Sequence, residues 1–277
     1  MLRLLIKPLI IIVKFFDKRK GLFKQIKLFH YLNNQLDTEV VVEDIIFDCS
    51  SITQLKRAKT FLSKEPDTLE WIKTYIHKSD IFYDVGACVG EFSLYAAKKC
   101  GAIVFAFEPS ALNYAVLSKN IYLNRLDKKI TALNLALHDN NVISYLQTSR
   151  NKYLPGKSHN QFCESDNDNF TIKDSTYSQG SLGLKLDYLI EKFKIPPPDH
   201  IKIDVDGNEG KIINGMDKVL TTGKVKTIAC ELDLTISESK NIISKIESYG
   251  FIEINALSEK KYQNNTISTR NRFFIKS

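Results

Sequence analysis

Acids and glycines follow apolar, strand-like runs at several points of this chain, and such strand ends bind ligands in doubly wound sheets. The stretch DVGACVG, from Asp84 to Gly90, follows one apolar run and precedes a helical pattern. Glycine in such a turn lets backbone N–H groups approach a ligand. Its spacing is D-x-G-x-x-x-G, and Cys88 stands where a dinucleotide-binding fingerprint has its second glycine, which argues against a nicotinamide cofactor.

Glu108 ends the next apolar run, in IVFAFEPSALN. A carboxylate at this place is positioned to accept hydrogen bonds from both ribose hydroxyls of an adenosine ligand. The alternative is a surface glutamate that happens to end a strand. Together with the glycine turn, Glu108 favours a site for an adenosine-containing ligand over a plain strand end.

Three further acids, Asp204, Asp206 and Glu209, follow a third apolar run in DHIKIDVDGNEG. Acids at the carboxyl end of a central strand are costly to bury unless they are used. They are predicted to position a cationic cofactor, to orient a hydroxyl or to accept its proton. For Asp206 and Glu209 a second interpretation stays open, in which they cap the helix that follows.

The elements that must position these residues alternate along the chain. Strands are predicted at Ile81–Val85, Ile103–Phe107, Ile130–Ala136, Ile201–Val205, Thr227–Leu232, Phe251–Ala256 and Arg272–Ile275. Helices are predicted at Thr53–Leu62, from Pro66, and at Gly90–Lys99, Leu112–Asn120, Gly210–Leu220 and Ser237–Tyr249. This order predicts an α/β fold with a doubly wound, mostly parallel sheet. One of the last two strands is expected to run antiparallel near the edge, because no helix fits between them.

The predicted domain covers residues 63–277, preceded by an arm and lead-in segment at 1–62 that includes a candidate strand at Glu39–Phe47. A polar segment at about 147–180 interrupts the domain and is predicted to be a loop or small hairpin insertion above the sheet. The five cysteines form no CxxC pair and the five histidines are scattered. Reduced thiols in a cytoplasmic compartment are therefore expected, with no disulfide framework and no metal.

The net charge of +7 is concentrated in residues 1–30, which hold eight lysines and arginines against one aspartate. The remaining chain has 31 basic and 31 acidic residues, which argues against a nucleic-acid partner. The apolar runs of the arm are too short to span a bilayer. Its pattern predicts an amphipathic helix over residues 1–28 with two open interpretations: peripheral contact with the inner face of a membrane, or docking on the protein's own body.

Several motifs, in this order, resemble the FkbM family of S-adenosylmethionine-dependent methyltransferases: FYDVGACVGEF, IVFAFEPSALN, LNLALHD, KLDYLI, DHIKIDVDGNEG and TIACELD. The resemblance runs from about Glu65 to Leu234. It implies the class I methyltransferase fold, a Rossmann-like sheet of seven strands whose seventh strand is antiparallel. It also implies O-methylation of a hydroxyl on a small molecule or sugar, such as a glycan, glycolipid or polysaccharide precursor, with S-adenosylmethionine as the methyl donor.

The resemblance further implies a role for each matching position. The methionine end of S-adenosylmethionine would be held by the turn that contains Asp84, Gly86, Ala87 and Gly90. The ribose would be bound by Glu108, Pro109, Ser110 and Asn113, and the adenine would lie beside Leu137 and Asp139. Asp204 would lie near the sulfonium and the acceptor. Family members often have Glu where Asp206 stands, so the general base stays open between Asp204 and Asp206, with His159 in the insertion as a further candidate. His200 lies at the wrong end of its strand and is expected to be structural. Cys88 is expected to be a small neutral filler.

Two other functions fit a sheet of this kind. One is an NAD-dependent sugar-modifying enzyme, which the absence of G-x-G-x-x-G disfavours. The other is a non-catalytic S-adenosylmethionine-binding protein, which the presence of Asp84, Gly86, Glu108 and Asp204 disfavours.

Overall fold

The computed structural model describes residues 38–149, 154–157, 161–163, 176–254 and 269–277. The basic arm over residues 1–28, His159 and much of the polar segment at 147–180 lie outside these ranges. Val40–Ser277 forms one compact unit. Within the described part of the chain, we find no helix with the length and apolar character needed to cross a membrane.

A seven-stranded sheet forms the centre of the unit. Its strands, in chain order, are β3 (Ile81–Val85), β4 (Ile103–Phe107), β5 (Ile130–Leu133), β10 (His200–Ile203), β11 (Thr227–Asp233), β12 (Phe251–Glu253) and β13 (Thr269–Lys276). They lie in the order β12-β13-β11-β10-β3-β4-β5. β13 runs antiparallel to β11 and β12, and the pairs among β11, β10, β3, β4 and β5 are parallel. The predicted sheet, with one antiparallel strand next to its edge, is confirmed.

Helices cover both faces of this sheet. They are α1 (Ile52–Lys64), α2 (Pro66–Tyr75), α3 (Glu91–Tyr95, continued by one π-helical turn), α4 (Ala111–Leu123), α5 (Leu186–Phe193), α6 (Glu209–Asn214), α7 (Asp217–Thr221) and α8 (Ser237–Ser248). A hydrophobic core lies on each face of the sheet, and successive residues of a strand pack in different cores because side chains alternate along the strand. Phe82 packs in the core with α1 and α2, and Tyr83 packs in the core with α6, α7 and α8.

The lead-in segment contains two short strands where the sequence predicted one, and they are followed by a helix as predicted. Strands β1 (Glu39–Val42) and β2 (Ile45–Asp48) are separated by Glu43 and Asp44, whose φ values of 52° and 66° turn the chain back. Phe47 of β2 and Phe61 of α1 are buried in the same core as Trp71 of α2. The compact unit thus begins at Val40 rather than at the predicted boundary near residue 63.

The insertion contributes strands to a second sheet. Strands β6 (Ala136–Leu137), β7 (Val142–Ser149), β8 (Gln161–Cys163) and β9 (Thr176–Leu184) form a sheet in the order β6-β9-β7-β8. β7 and β9 are antiparallel and paired along their length, so the described part of the insertion extends a regular hairpin. The single strand predicted for Ile130–Ala136 is divided between β5 and β6.

The helix predicted at Gly210–Leu220 is broken into α6 and α7 at Gly215. A Cβ atom at Gly215 would lie only 2.0 Å from the carbonyl oxygen of His138. The break therefore reflects a close approach of two backbones that neither segment's own pattern predicts.

Candidate active site

The glycine turn after β3 lies against the end of β10. The backbone N–H groups of Gly86 and Ala87 donate to the carbonyl oxygen of Phe107, at 2.9 and 3.0 Å, which fixes the turn on β4. Gly86 has a φ of 83°, and a Cβ atom there would lie 1.9 Å from the carbonyl oxygen of Asp204. Only glycine fits this crossing of two backbones, and it brings the predicted turn and the predicted acid into contact.

Asp84 is buried beneath this turn. Ser93 donates a hydrogen bond of 2.6 Å to its Oδ2. Burial raises the pKa of the Asp84 carboxyl, and the positive charge of Lys202 opposes that rise. Lys202 is the residue opposite Asp84 on the neighbouring strand β10.

Glu108 joins the two turns that follow β3 and β4. Its Oε2 accepts the backbone N–H of Cys88 and its Oε1 accepts that of Ser110, both at 2.8 Å. Burial raises the pKa of the Glu108 carboxyl to about 7, against the effect of those two N–H donors. The thiol of Cys88 has a pKa well above its ordinary value, also through burial, so it is neutral at physiological pH.

A cluster of charges lies at the ends of β10 and β11. Lys202 is buried, and its Nζ lies 2.7 Å from Oδ2 of Asp204 and 4.8 Å from the centre of the Phe92 ring. Burial opposes ionisation of Asp204, but the Lys202 ammonium outweighs it and holds the pKa of that carboxyl below its ordinary value. Glu231 of β11 shares a hydrogen bond with Asp204. The sequence prediction named neither Lys202 nor Glu231.

These groups line a cavity of about 450 Å³. Its lining residues are Arg57, Lys64, Glu65, Gly86, Ala87, Cys88, Glu91, Phe92, Glu108, Pro109, Asn113, Lys202, Asp204, Val205, Asp206 and Glu231. Seven predicted site residues are therefore brought together. A smaller apolar pocket of about 40 Å³ shares Gly86, Pro109 and Val205 with it and is lined by Leu137 among others.

Five predicted residues are not among the described residues that line the large cavity or the apolar pocket: Asp84, Gly90, Ser110, Asp139 and Glu209. Asp84 lies in β3, and Gly90 and Ser110 are the residues directly before α3 and α4. Asp139 lies 3.0 Å from the ring of His138. Glu209 begins α6, and its Oε1 accepts the N–H of Gly207 at 3.1 Å, a contact with the turn before the helix rather than a helix cap. His200 is buried and contacts Thr227 and Asp80. This contact lies at the start of β10 and β11, the end of the two strands that is away from the cavity.

Gly156 and Lys157 of the insertion contact two residues that line the large cavity. Arg57 of α1 bonds the carbonyl oxygen of Gly156 at 2.6 Å and forms an ion pair of 2.9 Å with Glu91. Asn113 accepts the N–H of Gly156 and donates to the carbonyl oxygen of Lys157. The lead-in helix and the insertion thus meet beside the predicted cofactor turn, which the sequence pattern did not indicate.

A second cavity of about 330 Å³ continues from this meeting point. It shares Arg57, Lys64, Glu65, Glu91 and Phe92 with the first cavity. Thr53, Thr60, Phe61, Gly156 and Lys157 complete its lining.

The strand order, with a glycine turn after β3 and an acid after β4, defines the chain as a protein of the Rossmann-like methyltransferase fold. The family model for the methyltransferase FkbM domain matches residues 84–253. The chain therefore belongs to the FkbM methyltransferase family, and the resemblance stated from its sequence is confirmed.

Among curated proteins, the chain is similar to the hexuronic acid methyltransferase AglP of Haloferax volcanii, with 27% identity over 177 residues. The match covers 63% of this chain and 65% of that relative, slightly less than two thirds of its length. Among solved structures, methyltransferase FkbM from Methylobacillus flagellatus has a TM-score of 0.47 and 14% identity, over 80% of this chain and 53% of the other. TYW2 of M. jannaschii in complex with AdoMet has a TM-score of 0.41 and 15% identity, over 87% and 88%.

Proposed function

We propose that this protein is an S-adenosylmethionine-dependent O-methyltransferase that acts on a hydroxyl of a sugar or sugar conjugate. The observation that carries the proposal is the cavity in which the Gly86 turn, Glu108 and Asp204 converge. Membership of the FkbM family supports methyl transfer. The name of the Haloferax volcanii relative, a hexuronic acid methyltransferase, supports a sugar as the acceptor.

The residues of the large cavity fit S-adenosylmethionine, which carries a positive sulfonium and a positive amino group. The cavity is lined by six acids against three basic residues, Arg57, Lys64 and Lys202. Glu108 lines the cavity and is proposed to accept the ribose hydroxyls, and the adjoining apolar pocket at Leu137 is proposed to receive one edge of the adenine. Bound S-adenosylmethionine would supply an electrophilic methyl group with a good leaving group.

The chain's own residues then have to align the acceptor and remove its proton. Alignment and exclusion of water account for most of the acceleration in such a displacement. Asp204 and Asp206 both line the cavity and are the proposed groups next to the acceptor hydroxyl. Glu209, predicted with them, is not among the described residues that line this cavity.

We place the body of the acceptor in the second cavity, with its reacting hydroxyl directed into the first cavity, where Asp204 and Asp206 lie. Threonine hydroxyls, the Phe61 and Phe92 rings, and the basic side chains of Arg57, Lys64 and Lys157 suit a polar, ring-shaped molecule. The balance of 31 basic and 31 acidic residues after residue 30 supports a sugar over a nucleic acid.

Thermal denaturation with added ligands tests this proposal. We expect S-adenosylmethionine and its demethylated product to raise the Tm by several degrees, since ligands that bind only the folded state stabilise it. NAD is expected to leave the Tm unchanged. Transfer of a labelled methyl group to oligosaccharides that contain uronic acids, followed by mass spectrometry, then tests turnover. Stabilisation by NAD alone would contradict the proposal, and ligand binding without any transfer would favour a non-catalytic binding protein.

We expect the affinity for S-adenosylmethionine to fall as the pH is lowered from 8 to 6. Burial raises the pKa of Glu108 to about 7, so its carboxyl gains a proton below that pH and loses an acceptor for the ribose hydroxyls. The Kd should rise about tenfold in total between pH 8 and pH 6. Titration calorimetry across this range measures it.

Glu108→Gln is the matched variant for this titration, because it keeps the shape of the side chain and cannot ionise. Its Kd should be higher at pH 8 and nearly independent of pH. A variant with the same pH dependence as the native protein would show that another group titrates.

A further inference from the structure

Asp204 follows the last residue of β10, and Glu231 is the residue of β11 directly after the last position paired with β10. In the register of β10 and β11, Ile203 lies opposite Cys230, so the next residues of both strands are also neighbours. Residues in register on adjacent strands share a face of the sheet. Both carboxyl groups therefore meet at the cavity that they line.

Lys202 lies on the same face, two residues before Asp204. Its partner on β11 is Ala229, which leaves room for the lysine side chain, and its partner on β3 is Asp84. Lys202 Nζ is bound to Asp204 at 2.7 Å. The ammonium thus stabilises the ionised form of Asp204 specifically.

The groups facing Glu231 come from three parts of the fold. Lys202 and Asp204 belong to β10 and its end, Glu65 lies between α1 and α2, and the uncharged Asn271 is opposite on β13. Two carboxyl groups in hydrogen-bond contact need one proton between them. Because Lys202 keeps Asp204 ionised, the shared proton resides on Glu231.

We propose that Glu231 is the general base of methyl transfer and that Asp204, held by Lys202, is the positioning residue that sets its basicity. This assignment rests on the proposed function. Glu231 in its ionised form takes the proton of the acceptor hydroxyl, whose oxygen forms the new bond to the methyl carbon. The electron pair of the breaking carbon–sulfur bond stays on sulfur, and the proton later leaves Glu231 for solvent.

The electrostatics agree with this division of roles. Burial, and then the negative charge of Asp204, raise the pKa of Glu231 to about 8. A base is most effective when its pKa lies near the working pH, whereas an Asp204 with a depressed pKa is a weak base. Pairs of acids with pKa values driven apart are typical of sites that divide such roles.

The test is a pH profile of kcat/KM between pH 6 and 10, with the uronic-acid oligosaccharides of the transfer assay as acceptors. The native profile should rise with pH and level off above about 8. Glu231→Gln should lose about 10²- to 10⁴-fold and show no rise, since that is the usual contribution of a general base. Glu231→Asp should recover part of the loss. Asp204→Asn should shift the midpoint to lower pH, because it removes the like charge.

A second measurement needs neither cofactor nor acceptor. Infrared spectra of the unliganded Glu108→Gln variant, which lacks the other carboxyl that titrates near pH 7, should show a carboxylic-acid carbonyl band at pH 6 that disappears at pH 9.5. The two substitutions compared next are made in this background. Glu231→Gln should abolish this band, and Glu247→Gln, the same change on the exposed face of α8, should keep it.

Two results would overturn the inference. One is a Glu231→Gln variant that folds, binds S-adenosylmethionine normally and keeps turnover within threefold of native. The other is a larger loss in Asp206→Asn than in Glu231→Gln. In both cases the native protein would still be stabilised by S-adenosylmethionine and would still transfer the methyl group. Failure of this inference is therefore distinguishable from failure of the proposed function.

Discussion

Gly86→Ala is expected to abolish binding of S-adenosylmethionine and to destabilise the folded protein by more than about 4 kcal/mol. The added Cβ would lie 1.9 Å from the carbonyl oxygen of Asp204, a backbone atom that cannot turn away. The φ of 83° adds the strain of a left-handed residue, about 1–2 kcal/mol. Relief of the clash would separate the turn from the end of β10, and both segments line the cavity.

Gly223→Ala is the matched control, because Gly223 also has a positive φ, 74°, but nothing lies within 4 Å of an added Cβ. This control should lose only about 1 kcal/mol from backbone strain. Urea denaturation followed by circular dichroism compares the two variants, and calorimetry measures the remaining affinity. Equal losses of stability in both variants would contradict the close approach of the Gly86 turn to Asp204.

The parts of the site that sequence could predict are those whose chemistry is local. An acid or a glycine at the end of an apolar run indicates the end of a strand. Asp84, Gly86, Glu108 and Asp204 could therefore be predicted as candidate site residues from the sequence pattern alone. Their placement follows because the carboxyl ends of parallel strands meet at one edge of a sheet.

Glu231 could not be assigned in this way, because its role depends on the register of β11 against β10. Lys202 did carry a signal, since a lysine inside an apolar strand is rarely buried without a partner. Its partner Asp204 is only two residues away, but the buried environment of both could be judged only from the assembled sheet.

The position of Arg57 could not be predicted from the sequence for a different reason. It lies in a helix that the charge and motif pattern assigned to a lead-in segment outside the domain, yet it pairs with Glu91 and the insertion. Contacts between distant segments, like the approach of Gly215 to His138 that divides α6 from α7, are set by tertiary packing and leave no periodic signal.

Lys202→Met is expected to destabilise the protein by about 3–5 kcal/mol, the usual cost of removing one partner from a buried ion pair. Methionine fills a similar volume, so the loss comes mainly from charge. Asp84 and Asp204 would be left near each other without the ammonium that offsets their charge. Urea denaturation at pH 7.5 measures the loss. The control Lys218→Met removes an exposed partner of Glu191 and should cost about 0–1 kcal/mol.

The loss in Lys202→Met should shrink as the pH is lowered from 8 to 5. Without Lys202 the pKa values of Asp84 and Asp204 both rise in the folded state, so the folded variant binds more protons than the unfolded chain. Stability then increases as pH falls, because protonation removes the uncompensated buried charge. The double variant Lys202→Met with Asp204→Asn should recover part of the stability at pH 8 and show a weaker pH dependence. A loss that stays constant over this range would mean that Lys202 stabilises the fold through packing against Phe92 rather than through its charge.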